Sequence, residues 1–179
     1  MVRRLMPKHS KEAVVKDVIQ VLNILEKNGK ESVDNIAKKC GVSRQKVWRI
    51  IKDLEEKNVI WGYAATTDGR LRGLQHFVLL IKRNIVPIDK AFKEEVTLKK
   101  LEGYVPGFVH IENIFFTHGE YNAVVTFYAK DLKNATKLVQ ELFNKIGQYF
   151  EGYLLLETIF PIRKNGFENP EIKELMEYF

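Results

Sequence analysis

One stretch of the sequence combines the apolar spacing of a helix with a dense set of side chains that can bind a polyanion. From Ser43 to about Lys57, apolar residues recur at the i, i+3, i+4 and i+7 positions that face a protein core. These residues are Val47, Ile50, Ile51 and Leu54. The opposite face carries two guanidinium groups, an amide, an ammonium group and an indole, which belong to Arg44, Gln45, Trp48, Arg49 and Lys52. Ser43 is the predicted N-cap, because its hydroxyl can accept a hydrogen bond from a free backbone N–H.

These side-chain types match the groups that DNA exposes in its major groove. Arginine bonds a guanine edge with two hydrogen bonds, glutamine does so with adenine, lysine pairs with phosphate, and a helix N-terminus favours an anion. The acids Asp53, Glu55 and Glu56 all follow Lys52, whereas a merely soluble surface intersperses acids with lysines. We therefore predict that double-stranded DNA is bound by Ser43, Arg44, Gln45, Lys46, Trp48, Arg49 and Lys52. Two interpretations of Trp48 stay open, half-buried packing and contact with thymine methyls or sugar.

Two further helices and a tight turn precede this helix. The first is predicted between Ser10, a candidate N-cap, and Asn28-Gly29. The second follows Ser32 and ends at Gly41, which suits the left-handed conformation after a helix. A strand is predicted over Val59–Tyr63. Three helices with a glycine-containing turn and a following strand make a winged or extended helix-turn-helix.

The charge of the chain is divided unevenly along its length. Residues 1–62 hold 14 Lys and Arg against 8 Asp and Glu, and residues 63–179 hold 15 of each. The whole net charge of +6 therefore lies in the first third. This asymmetry favours a basic module that meets a polyanion, joined to an electrically balanced module; a random excess on a solvated face is the alternative.

The second part of the chain alternates strands and helices after a glycine-rich link at 69–73. The predicted elements are strand Gln75–Arg83, helix Asp89–Leu101, strands Phe108–Phe116 and Tyr121–Ala129, helix Leu132–Ile146 and strand Tyr153–Ile162. The order βαββαβ predicts an antiparallel sheet with both helices on one face, a ferredoxin-like α+β sandwich. The uncovered face of the sheet is expected to pack on a second copy of the chain, which gives a homodimer.

This organisation predicts four segments. Residues 1–68 form the helix-turn-helix domain, 69–74 a linker, 75–164 the α/β effector-binding and oligomerisation domain, and 165–179 a C-terminal helical extension. In the extension, Asn169-Pro170 begins a short helix with one apolar side made of Ile172, Leu175, Met176 and Phe179. That side either packs on its own domain, covers an effector pocket or adds to an oligomer contact. The basic pair Arg3-Arg4 either touches phosphate or is disordered.

Composition and motif content exclude several classes of protein. With 179 residues, 45% hydrophobic and 29% charged, the chain is not of a disordered, collagen-like or fibrous class. No apolar run reaches the ~18–20 residues of a membrane span, and no signal-peptide stretch follows Arg3-Arg4, so we expect a cytoplasmic protein without membrane partners. A single cysteine, Cys40, is interpreted as a buried small residue, and neither a metal site nor a cofactor is predicted. No catalytic constellation is found, and the four histidines are scattered.

The order and spacing of short motifs from about Val18 to Lys164 identify the chain as similar to the leucine-responsive regulator (Lrp/AsnC) family of prokaryotic transcription regulators. The first half carries the motifs Val21-Leu22-x-x-Leu25-x-x-Asn28-Gly29, Ile36-Ala37, Gly41-Val42-Ser43, Val47-x-Arg49 and Leu54-Glu55-x-x-x-Val59-Ile60-x-Gly62-Tyr63. The second half carries Gly119-x-Tyr121 and Thr158. The resemblance implies a sequence-specific DNA-binding regulator that forms dimers through its sheet and often octamers.

The resemblance also implies a small-molecule effector, usually an amino acid, bound near the loop between the second and third strands. In this chain that loop is His118-Gly119-Glu120-Tyr121-Asn122, whereas family members commonly carry Thr-Gly-Asp-Tyr-Asp. The acid after the tyrosine is replaced by the amide of Asn122, which removes one charged partner for the ammonium group of a ligand.

We predict a regulator and not an enzyme. Two other classes of function are alternatives, a sirohaem decarboxylase and a pure interaction module. Sirohaem decarboxylases resemble the same two-domain architecture and use histidines in the second domain, where His110 falls near a comparable place. Against that class, the basic face of the third helix would have no role. A tetrapyrrole would give a Soret-type absorbance band, which separates the two. A pure interaction module would bind no duplex at any salt concentration.

Overall fold

The computed structural model describes residues 11–96, 103 and 109–178, and the chain divides into two compact units between Thr66 and Thr67. The first unit consists of three helices, α1 (Lys11–Lys27), α2 (Val33–Cys40) and α3 (Arg44–Glu56). Its core is formed by the fully buried side chains of Val21, Ile36 and Val47, one from each helix. The three helices predicted from apolar spacing are therefore confirmed.

Local hydrogen bonds fix the turn between α2 and α3. The Ser43 hydroxyl accepts a hydrogen bond from the N–H of Lys46 at 3.3 Å and so caps α3. Gly41 has a φ of +65°, a left-handed conformation that glycine adopts without steric cost, and it ends α2. Cys40 is half-buried against the core, which is less burial than predicted. The predicted cap Ser10 and the pair Arg3-Arg4 lie outside the described residues.

The predicted strand over Val59–Tyr63 is not formed. Asn58 takes a φ of +54° at the end of α3, and the N–H groups of Val59 and Ile60 both donate to the carbonyl of Leu54, at 2.9 and 3.2 Å. These donors therefore close the helix end and cannot join a ladder. Residues 61–68 are without regular structure. The aromatic and β-branched pattern predicted a strand, but the described residues supply no neighbouring strand for it.

The second unit contains a four-stranded antiparallel sheet with the order β2-β3-β1-β4. The strands are β1 (Gln75–Arg83), β2 (Val109–Phe116), β3 (Ala123–Ala129) and β4 (Phe150–Glu157), and the helices are α4 (Lys90–Glu95) and α5 (Leu132–Ile146). The helices pack with Phe77, Leu79, Val125 and Phe127 into one core. This topology confirms the ferredoxin-like α+β prediction.

Several predicted limits in the second unit are wrong. The last strand was predicted over Tyr153–Ile162, but β4 ends at Glu157, which pairs with Phe77 near the start of β1. Beyond that position β1 offers few partners, and Pro161 has no N–H to donate. The first helix ends at Glu95 instead of Leu101, and positions 97–101 lie outside the described residues.

The chain after β4 forms a short hairpin and a single helical turn. These elements are β5 (Arg163–Lys164), β6 (Phe167–Glu168) and α6 (Ile172–Leu175). One guanidinium nitrogen of Arg70 bonds both Asp68 and Glu171, the latter at 2.6 Å, so this segment is tied to the start of the unit. The predicted C-terminal helix begins at Ile172, two residues after Pro170.

The face of the sheet away from the helices carries an apolar patch. Register places Val78 opposite Leu156 and Leu80 opposite both Leu154 and Val124. Leu154 and Leu156 are 41% and 44% exposed in the single chain. We call these five residues the outer sheet patch. None of the described helices is long and apolar enough to cross a membrane.

Candidate DNA-binding and effector sites

The α3 helix presents one continuous basic surface. Val47 and Leu54 are buried and fix the rotation of the helix, so the opposite face of α3 points outward. Trp48 is 55% exposed, and the side chains of Arg44 and Lys52 are 72% and 55% exposed. A shallow depression of about 540 Å³ is lined by Val33, Arg44, Gln45, Trp48 and Arg49. Four of the predicted DNA-binding residues therefore share one concave surface.

The cations of this surface are only weakly held by neighbouring acids. Arg44 Nε lies 3.5 Å from Asp34 Oδ1, and Lys52 Nζ lies 3.7 Å from Glu56 Oε1. All four side chains are more than half exposed, and such exposed pairs contribute only about 0–1 kcal/mol. Arg49 forms no salt bridge with any other described residue. A polyanion can therefore displace these acids at low cost.

Trp48 connects Lys52 to the depression. The Lys52 ammonium lies 5.2 Å from the centroid of the indole ring, within cation–π range. This contact places the positive charge beside the same surface that Arg44, Gln45 and Arg49 line. Lys52 is thus part of the predicted set although it does not line the depression itself.

The structure places Lys46 apart from the other predicted residues. Its ammonium bonds the carboxylate of Asp17 on α1, and the two side chains are only 22% and 16% exposed. Consecutive helix positions are rotated by about 100°, so Lys46 lies on the side of α3 that faces α1. Lys46 therefore joins the helices, and Ser43 serves as the cap, while the outward face is formed by Arg44, Gln45, Trp48, Arg49 and Lys52.

The predicted effector loop is the turn between β2 and β3. His118, Gly119 and Glu120 are exposed, and Gly119 has a φ of +140°. Asn122 is used structurally, because its Oδ1 accepts a hydrogen bond from the N–H of Arg83 at 2.9 Å and its Nδ2 donates to the carbonyl of Gly119 at 3.4 Å. The amide thus ties the turn to the end of β1, a double role that a carboxylate cannot fill since it has no donor.

A cation lies beside this loop at the end of β1. Lys82 Nζ bonds Glu151 Oε1 at 2.9 Å. This hydrogen bond raises the pKa of Lys82, and the charges of Glu151 and Glu120 add to the effect. Tyr121 is half-buried, and its carbonyl accepts a hydrogen bond from the Thr117 hydroxyl at 2.6 Å. The exposed carboxylate of Glu120 is thus the acid of the loop that a ligand can reach.

Sequence reasoning missed a polar cluster at one end of the outer sheet face. Glu112 bonds Lys164 Nζ at 2.7 Å and His76 Nε2 at 3.2 Å, and His76 Nδ1 lies 2.7 Å from the Thr158 hydroxyl. Lys164 also bonds the hydroxyl of Tyr128. Burial opposes ionisation of Glu112, but hydrogen bonding and charge attraction from Lys164 hold its pKa below the ordinary value. No spacing in the sequence links these residues, since they come from separate strands and from the C-terminal hairpin.

The described residues contain no cluster of three or more histidine, cysteine or acidic side chains that could hold a metal ion. Burial raises the pKa of the Cys40 thiol, which disfavours its reactive thiolate.

Comparison with known proteins agrees with this geometry. A model of the winged helix-turn-helix DNA-binding family matches residues 18–60, which span most of α1 and all of α2 and α3. The regulator Ptr1 of Methanocaldococcus jannaschii is 30% identical over 123 residues, which cover 69% of this chain and 77% of Ptr1. The regulator LrpA of Pyrococcus horikoshii is 27% identical over 128 residues, 72% of this chain and 82% of LrpA.

A solved structure extends the similarity to the second unit. The feast or famine regulatory protein of M. tuberculosis, in complex with L-methionine, has a TM-score of 0.65. The match has 16% identity and covers 90% of this chain and all of that one, so it shows a common fold. A helix-turn-helix joined to this α+β unit defines a DNA-binding transcriptional regulator. The chain belongs to the Lrp/AsnC family of these regulators.

Proposed function

We propose that this regulator inserts α3 into the major groove of double-stranded DNA. Arg44, Gln45 and Arg49 bond base edges, and Lys52 binds a phosphate. The observation that carries the proposal is the single exposed basic surface on α3, whose acids are weakly paired. Ser43 and Lys46 support the surface by capping α3 and by binding Asp17.

Fluorescence anisotropy of the full-length protein tests this proposal. The probes are a duplex selected from a random-sequence library and a scrambled duplex of the same composition, each at two salt concentrations. Tighter binding of the selected duplex that survives the higher salt supports sequence reading. If both duplexes bind with equal affinity and both are released at the higher salt concentration, the surface binds DNA through charge alone and reads no sequence. If neither duplex binds, a Soret-type absorbance scan separates the decarboxylase from an interaction module.

We also propose that two copies pair through the outer sheet patch, and that dimers assemble further into octamers. An exposed apolar patch on a sheet is an unfavourable surface for a single chain in water. A symmetric dimer brings two DNA-binding units to two half-sites, which strengthens binding by effective concentration. Sedimentation velocity across a concentration series measures the assembly, and a single monomeric species at all concentrations would contradict it.

A small-molecule effector at the loop His118–Asn122 is the third part of the proposal. The L-methionine in the complex of the M. tuberculosis neighbour supports an amino acid as the ligand class. Glu120 is the exposed carboxylate suited to the ammonium group of such a ligand, since Asn122 already bonds Arg83 and Gly119. We place this function in the cytoplasm, where prokaryotic DNA lies. The proposed domains are those predicted from the sequence, with limits at residues 68, 74 and 164.

Thermal denaturation with L-methionine and with L-leucine tests the effector site. Binding to the folded state raises Tm with ligand concentration. The rise should be lost in Glu120→Gln and kept in Glu157→Gln, which removes an exposed charge from β4. An equal rise in both variants would place the ligand elsewhere, and no rise with either amino acid would remove this ligand class.

A further inference from the structure

The two tryptophans of the chain lie in very different surroundings within the first unit. Trp61 is 95% exposed in the segment that follows α3. Trp48 lies on the outward face of α3, is 55% exposed and lines the depression with Arg44, Gln45 and Arg49. Only Trp48 is therefore surrounded by side chains that can bond base edges.

Trp48 is not needed by the core of its unit. The buried cluster consists of Val21, Ile36, Ala37 and Val47, and Trp48 is not among the partly buried residues that pack against it. Trp48 follows the buried Val47 directly, so the rotation of the helix turns its indole outward. A large apolar ring in this position is better explained by contact with something outside the unit than by packing.

The neighbours of Trp48 fix its orientation and select its partner. The Lys52 ammonium lies 5.2 Å from the ring centroid and holds the indole on the basic surface. Val33 adds a second apolar side chain to the depression. An apolar site among base-reading groups needs an apolar counterpart in the groove, and the C5-methyl of thymine is the apolar group on the major-groove edges of the bases.

We propose that Trp48 is a specificity-determining residue that reads thymine by packing its indole against the C5-methyl group. The inference rests on the proposed insertion of α3 into the major groove. Arg44, Gln45 and Arg49 discriminate through hydrogen bonds, whereas Trp48 discriminates by excluding water from one methyl group. Cytosine and the purines leave the indole against polar edges, so the preference is for thymine at one position of each half-site.

Methyl deletion in the DNA tests this role directly. In the duplex selected for the full-length protein, each thymine is replaced in turn by deoxyuridine, which lacks only the C5-methyl. At the position read by Trp48 the affinity should fall about fourfold, the value expected for one buried methyl group. Trp48→Ala should bind thymine and deoxyuridine duplexes equally, and Trp48→Phe should keep part of the preference.

Trp61→Ala is the matched control, because it removes the other exposed indole of the same unit. It should retain the full preference for thymine. If Trp48→Ala weakens binding of both duplexes by the same factor, the preference for thymine over deoxyuridine remains. The indole then contacts sugar or a second copy, and the inference is overturned. If the wild type binds the selected duplex specifically but no deoxyuridine substitution weakens binding, only the inference on Trp48 is overturned. If the wild type does not prefer the selected duplex over the scrambled one, the proposed function fails first.

Discussion

Lys52 on α3 and Lys164 in the second unit differ in how tightly each is paired with an acid. On α3, Lys52 lies 3.7 Å from Glu56, and both side chains are more than half exposed. In the second unit, Lys164 lies 2.7 Å from Glu112, and both are about one-fifth exposed. The exposed pair contributes little and is easily exchanged for a phosphate, whereas breaking the half-buried pair leaves a desolvated charge without a partner.

The same contrast appears in the charge along the chain. The excess of +6 in residues 1–62 has no matching acids, and residues 63–179 hold equal numbers of acids and bases. Unmatched cations favour a polyanion, while matched ions and an apolar patch favour association between protein surfaces. We therefore expect the two units to have different partners, and each of the following experiments tests one side of this difference.

The largest expected effect is on self-association. Leu154→Glu places a carboxylate in the outer sheet patch, opposite Leu80. Burial of an unpaired charge costs several kcal/mol, so the dimer dissociation constant should rise at least about 100-fold. Sedimentation equilibrium measures this change. Leu132→Glu is the control, since Leu132 is also exposed, at 54%, but lies on α5; the same loss in both variants would contradict an interface at the patch.

The next effect concerns the basic surface itself. Arg49→Ala should weaken binding of the selected duplex by about 1–3 kcal/mol, because a base-reading arginine makes two hydrogen bonds that no other side chain replaces. Anisotropy titrations against selected and scrambled duplexes measure the loss. Arg72→Ala, an exposed arginine of the second unit, should change neither affinity. An equal loss on both duplexes after Arg49→Ala would make Arg49 a phosphate contact.

Short-range patterns predicted much of this molecule from its sequence. Helix α5 begins and ends at the predicted residues, because its Asp131 cap and its apolar spacing are both local signals. The limits of α3 were nearly as accurate, with Ser43 as the observed cap. The outward face of α3 followed from the same spacing, so five of its seven proposed DNA contacts form one surface.

The features that the sequence did not predict depend on distant partners. The bond between Lys46 and Asp17 requires the packing of α3 on α1. The cluster of His76, Glu112 and Lys164 requires a register shift in β2 between Ile111 and Asn113, and the return of the C-terminal hairpin. A pattern along one element contains no information on either contact, so spacing alone does not separate Lys46 from its basic neighbours on α3.

The polar cluster around Glu112 should make the free energy of unfolding depend on pH. Because the folded pKa of Glu112 lies below its ordinary value, its ionised form stabilises the fold at neutral pH. This contribution is present above the unfolded pKa of about 4.5 and is lost as pH falls through the folded pKa. In urea denaturation, Glu112→Gln should therefore be less stable than the wild type at pH 7, and the difference between the two unfolding free energies should shrink as pH falls below 4.5.

Glu174→Gln provides the control for that experiment, since its carboxylate is exposed on α6. Its unfolding free energy should follow the wild type across the whole pH range. A constant difference between the wild type and Glu112→Gln down to pH 3 would mean that the pair with Lys164 does not contribute through ionisation.

The smallest effect separates two lysines of one helix. Lys52→Ala should reduce the slope of log affinity against log salt by about 0.9, since one phosphate contact is lost, and should weaken selected and scrambled duplexes alike. Lys46→Ala should leave the slope unchanged and lower the free energy of unfolding, because the half-buried Asp17 loses its partner. Lys137→Ala, on α5 of the second unit, should change neither quantity. An unchanged slope after Lys52→Ala would remove Lys52 from the interface, and a reduced slope after Lys46→Ala would mean that DNA competes with Asp17 for its ammonium. The two lysines thus decide whether exposure and pairing, rather than position in the sequence, determine which cations of α3 meet the DNA.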